Sequence, residues 1–108
     1  MYSSDLHIVN TDILEALGPE GTLVNIGRGS LVDEAALVSA LQHGRLGAAA
    51  LDVFNDLQQL PPELLGMENV ILSPHRGSAT LEARAAMCEI FVANIHAFFR
   101  GDAPITPV

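Results

Sequence analysis

No lysine and no tryptophan occur in these 108 residues, cysteine occurs once, and the aromatic side chains are one tyrosine and four phenylalanines. Positive charge comes from five arginines alone, set against 13 acidic residues, for a net charge of -8. A nucleic-acid binder needs a basic stripe, and this composition supplies none. The same deficit argues against attraction to an anionic membrane surface, and no apolar run approaches the roughly 20 residues of a spanning helix. The single cysteine, Cys88, excludes an intrachain disulfide and a zinc framework, and its neighbours read as those of a buried, unreactive thiol. His7, His43 and His96 share no ligand-like spacing with a cysteine or a carboxylate pair, so no metal site is expected. Met1 to Asp5 has neither the basic start nor the apolar stretch of a secretion signal, which makes the cytoplasm the expected compartment. Glycine punctuation is also incomplete: neither G-x-G-x-x-G nor G-x-x-x-x-G-K-[ST] occurs, and Gly27-Arg28-Gly29 is only a fragment of a phosphate cradle.

Apolar residues are abundant, at 49%, and charged ones scarce, at 17%. That balance favours a buried α/β core and leaves little polar surface for an isolated small domain, so a partner is expected. Asn10 to Leu17 reads as a short helix capped by Thr11, with Ile13, Leu14 and Leu17 on one face, ended by Gly18-Pro19. Thr22 to Ile26 is an apolar run with one polar interruption, suited to a strand buried on both faces, and Gly27 to Ser30 is the loop leaving it. A second helix starts at Asp33-Glu34 and stops at Gly44. The run Leu46 to Phe54 reads as a second strand ending at Asp52. Asn55 to Met67 is mostly loop with one helical turn at Glu63 to Leu65, and Val70 to Leu72 is a third strand. From Thr80 to Phe99 there is neither proline nor glycine; the apolar residues recur at helical intervals but spread beyond one stripe, so this long helix should be contacted on more than one side. Residues 101–108 read as an extended tail. The expected class is α/β, a partial Rossmann-like parallel sheet of about three strands with flanking helices, in a single segment spanning 1–108.

Arg28 and His75 each sit where an apolar run gives way to a loop, at what would be the carboxyl ends of strands, where ligands bind in parallel sheets. A guanidinium holds a carboxylate through two parallel hydrogen bonds and an imidazole passes a proton near neutral pH, a pair suited to an oxo or hydroxy acid. Two bland alternatives stand beside this: Arg28 as a surface arginine paired with Asp33, and His75 as a solvated loop residue. Asp52, ending an apolar strand, is costly to bury unless something pairs with it. Asn55 and Asp56 are most simply turn residues.

Four blocks in order, Leu23 to Glu34, Ala49 to Phe54, Asn69 to His75 and the Pro107-Val108 ending, resemble the carboxyl-terminal third of the D-2-hydroxyacid dehydrogenases, most closely the glyoxylate/hydroxypyruvate reductase branch. The resemblance spans about Leu6 to Val108 and corresponds to the carboxyl-terminal half of the NAD(P)-binding domain. It implies Arg28 as the anchor of the substrate carboxylate and carbonyl and His75 as the proton donor. It also implies Ile26, Gly27, Asp52 and Gly77 as cofactor-binding residues, NAD or NADP as cofactor, and a small 2-oxo or 2-hydroxy acid as substrate. A catalytic glutamate pairs with the histidine in this family, and its position here is Leu57, followed by Gln58 where the family has proline. Arg76, where isoleucine is common, adds positive charge beside His75. Both departures disfavour the imidazolium, so His75 should be a poor acid near neutral pH.

The amino-terminal substrate domain and the glycine-rich half of the nucleotide domain, which family members carry, have no counterpart here. Met1 to Asp5 does not match the strand expected there, pointing to an internal or imposed start. Three expectations follow: a portion of an NAD(P)-dependent reductase, inactive as an isolated chain; a non-enzymatic element that forms a homodimer or is completed by another chain; or a truncated gene product.

Overall fold

The computed structural model describes residues 6–107, so the lead at 1–5 lies outside the described residues. The chain divides into two units, Met1–Arg76 and Gly77–Val108. In the first, α1 (Thr11–Leu17) is followed by β1 (Thr22–Asn25), α2 (Glu34–Gln42), β2 (Ala48–Leu51), α3 (Pro62–Leu65) and β3 (Val70–Leu72). All strand pairs are parallel, in the order β1-β2-β3, which is the three-stranded α/β sheet expected from the sequence.

Side-chain caps start the two longer helices of this first unit. Asn10, rather than Thr11, caps α1, its side chain accepting from the Ile13 N–H at 3.2 Å. Asp33 caps α2 by accepting from the Ala36 N–H at 3.0 Å. Each cap satisfies one of the amide donors that a helix start leaves unpaired.

The register places Leu23, Ala49 and Val70 in one row and Asn25, Leu51 and Leu72 in another. Their apolar members join the core of Leu14, Leu37, Leu41, Leu46 and Leu64. The intervening row, Val24–Ala50–Ile71, points the other way, since the side-chain period of a strand is two. Val24 is 62% exposed and Ile71 70% exposed, so β1 is buried on one face only, contrary to the sequence reading. A continuous apolar run looks the same whether its second face is covered by this chain or by another. In α1, likewise, Leu14 alone of the expected face is buried, while Ile13 and Leu17 stay exposed.

The second unit is α4, Leu81–Arg100, capped by Thr80, which accepts from the Ala83 N–H, and ended by Gly101. Gly101 adopts a left-handed φ of 77°, which turns the chain so that the following Asp102 N–H donates back to the Ala97 carbonyl at 2.9 Å. The tail is not extended as expected: Asn94 Oδ1 accepts from the N–H groups of Ile105 and Thr106, folding the segment back along the helix. Ala97 is the one buried residue of α4. Cys88, expected to be buried, is exposed and lines an open groove with Val92 and His96, since apolar neighbours at helical spacing carry no record of what covers them.

Candidate functional site

Because the three strands are parallel, their carboxyl ends share one edge of the sheet, and each leads to one chemical side chain: Arg28 after β1, Asp52 after β2 and His75 after β3. With β2 between them, β1 and β3 run about 10 Å apart, a gap that an arginine and a histidine can close on a small acid.

The Arg28 loop is set by Asn25, the polar interruption in the first apolar run. Its side chain is buried, donates from Nδ2 to the Arg28 carbonyl at 3.0 Å and accepts at Oδ1 from the Gly27 N–H at 3.1 Å. β1 therefore ends at Asn25, and Ile26 leaves the ladder 71% exposed. A 3-10 turn, Gly29–Leu31, occupies what the sequence suggests is plain loop. A Cβ built on Gly29 would lie 1.9 Å from the Phe54 carbonyl carbon, so the Arg28 loop packs backbone to backbone on the segment leaving β2. Glu34 fastens the same junction, accepting at Oε1 from the Asn55 N–H at 2.8 Å.

Arg28 is exposed and donates from one guanidinium nitrogen to the Gly27 carbonyl at 2.9 Å. Asp33 is engaged in capping α2, and among the described residues Arg28 forms no ion pair. The surface-pair reading is therefore not the arrangement adopted.

His75 is exposed and adopts φ 54°, a left-handed conformation uncommon for a residue with a side chain. Its N–H donates to the carbonyls of Asp52 and Ser73, both at 3.0 Å. Asp52 is 7% exposed, and its Oδ1 accepts from the Arg76 N–H at 2.7 Å, which supplies the pairing that a buried carboxylate requires. Strained backbone held by surrounding contacts is a frequent companion of functional positions.

Leu57 begins a second 3-10 turn, Leu57–Gln59, and is 62% exposed. The neighbouring Asp56 does not stand in for the missing glutamate as a free carboxylate: its Oδ1 accepts from the Gln58 N–H at 2.8 Å to start the turn. Gly77 opens the second unit, exposed in a turn. Sequence reasoning missed Glu34, Asn25 and Gly29 as organisers of the site. Asn25 carried a signal, as a polar residue inside an apolar run; Glu34 carried none, because its partner lies 21 positions away.

Residues 3–77 match the family described as D-isomer specific 2-hydroxyacid dehydrogenase, NAD binding domain. The chain is 53% identical over 102 residues to hydroxyphenylpyruvate reductase of Plectranthus scutellarioides, and equally to glyoxylate/hydroxypyruvate reductase A HPR2 of Arabidopsis thaliana. Each match covers 94% of this chain and 33% of the relative, so the chain spans about a third of the length of these proteins. Among solved structures, the NADPH-dependent glyoxylate/hydroxypyruvate reductase of Sinorhizobium meliloti, in complex with NADP and malonate, superposes with a TM-score of 0.80 at 50% identity, over 99% of this chain and 34% of that one. The chain belongs to the NAD-binding domain family of the D-isomer specific 2-hydroxyacid dehydrogenases.

Proposed function

We propose that this chain supplies the substrate-anchoring and proton-donating side of an NAD(P)-dependent reductase site for a small 2-oxo acid such as glyoxylate or hydroxypyruvate. The observation that carries this reading is the delivery of Arg28, Asp52 and His75 to one sheet edge by three adjacent parallel strands. Arg28, unpaired with any described carboxylate, holds the acid's carboxylate through two charge-assisted hydrogen bonds and draws electron density from the adjacent carbonyl. His75 gives its proton to the carbonyl oxygen as that oxygen becomes a hydroxyl. The nicotinamide cofactor, when bound, supplies the hydride.

The family resemblance assigns the nicotinamide end of that cofactor to Ile26, Gly27 and Asp52; the exposed apolar surface of Ile26 beside Gly27 and the position of Asp52 at the end of β2 support it. The pyrophosphate end is not served by these residues, which lack a glycine-rich cradle. The isolated chain is accordingly inactive in this reading.

The test is a chimera in which this chain replaces the matching third of the Arabidopsis thaliana reductase, assayed with NADPH or NADH and glyoxylate or hydroxypyruvate. Arg28→Gln should lower kcat/KM by about a hundredfold, as expected for losing two hydrogen bonds to a charged group. Unchanged kcat/KM in a folded chimera would contradict the assignment.

A second reading, an assembly element, is favoured by the bare sheet row Val24–Ala50–Ile71 and by the exposed Phe91, Phe98 and Phe99 of α4. Each is a group of exposed apolar side chains within its own unit, the kind of surface that marks an interface. Light scattering should then give the mass of a homodimer or of a complex with a complementary chain, and a well-behaved monomer sinks this reading. A truncated gene product with no selected role would show neither behaviour. The cytoplasm is the compartment proposed with either reading; among the described residues no helix is long and apolar enough to cross a membrane.

A further inference from the structure

We infer that Asp52 is a positioning residue for His75, setting the direction of the imidazole through the backbone of residues 75 and 76. Two contacts from one residue converge there. The Asp52 carbonyl accepts from the His75 N–H at 3.0 Å, and its carboxylate Oδ1 accepts from the Arg76 N–H at 2.7 Å. Together they grip both amides that flank the Cα of His75, the residue at φ 54°.

The grip explains a conformation that the local sequence does not favour. Left-handed backbone is disfavoured for a residue with a Cβ, and neither glycine nor asparagine stands at position 75 to relieve it. An anionic acceptor on the following amide is the stronger kind of hydrogen bond. Asp52 can exert it because it is itself fixed: it is 7% exposed at the end of the central strand, and its N–H donates to the Asn25 carbonyl at 3.0 Å. The backbone path thus runs from the Arg28 loop, through Asn25 and Asp52, to His75. A contact between Asp52 and a carboxamide would bear on the same carboxylate that orients the proton donor, an implication that rests on the reductase reading; the grip itself does not.

The test uses this chain, isotope-labelled, in solution. In the wild type a scalar coupling should cross the hydrogen bond from the Arg76 amide nitrogen to the Asp52 carboxylate carbon. His75 should also show the strong intraresidue amide-to-Hα cross-peak of a positive φ. Asp52→Ala should speed exchange of the Arg76 amide by about tenfold relative to that of Leu37, a core reference that absorbs any global loss of stability. It should also weaken the His75 cross-peak and shift the ring resonances. Asp52→Asn keeps a carbonyl oxygen and should retain the cross-peak, a rescue that loss of packing would not give. If Asp52→Ala does not fold, the wild-type coupling and the Asp52→Asn cross-peak decide. A wild type lacking the coupling, or an Asp52→Ala chain with the cross-peak and relative exchange unchanged, overturns the inference. None of these readouts requires turnover, so they stand or fall separately from the reductase assay.

Discussion

Leu57→Glu raises the reductase rate of the chimera by about a hundredfold, within the range spanned by general acid–base assistance. The gain is expected because a carboxylate beside an imidazole favours the imidazolium and fixes the ring's orientation, and the family resemblance places that carboxylate at position 57. The substitution is compatible with the fold: Leu57 is 62% exposed at the start of its 3-10 turn. The turn is held by Asp56 rather than by Leu57. Steady-state kinetics at several substrate concentrations provide the check, and the gain should lie in kcat, since the proposed site gives binding of the acid to Arg28 rather than to His75. No gain in a chimera of proven fold would count against the role given to position 57.

Gly29→Ala is expected to destabilise the first unit by about 3 kcal/mol or more, at the upper end of what overpacking costs. A methyl group at that position would lie 1.9 Å from the Phe54 carbonyl carbon and 2.3 Å from the Asn55 nitrogen, both backbone atoms that cannot rotate away. Gly27→Ala is the internal control: its nearest contact is the end of the flexible Leu31 side chain at 3.1 Å, and its cost should stay below about 1.5 kcal/mol. Denaturant unfolding followed by circular dichroism separates the two. Equal midpoints would show that the Arg28 loop and the segment leaving β2 are not packed backbone to backbone.

The parts of this molecule legible in the sequence are those fixed by neighbours in the chain. Val70 to Leu72 is both the expected and the observed strand, because Asn69 and Ser73-Pro74 bracket a short apolar run. Residues 80–99 read as a helix and the structure has Leu81–Arg100, with Thr80 and Gly101 as its stops. What the sequence hid depends on partners far along the chain. The left-handed backbone of His75 is stabilised from Asp52, and the Arg28 loop is seated on Phe54. The bare row Val24–Ala50–Ile71 was hidden for another reason, since an apolar strand residue carries no record of what covers it. Arg28 and His75 were legible as a pair because strand ends are recognisable from the residues that terminate them, and Asp52 joined them through the family resemblance.

The most direct measurement of the central claim, that this sheet edge carries a substrate anchor and a proton donor without the donor's carboxylate, is the rate gain from Leu57→Glu measured in two backgrounds of the chimera. With His75 present the gain should be about a hundredfold, and with His75→Ala it should vanish, because the carboxylate acts only through the imidazole. A gain of equal size in both backgrounds would contradict the account.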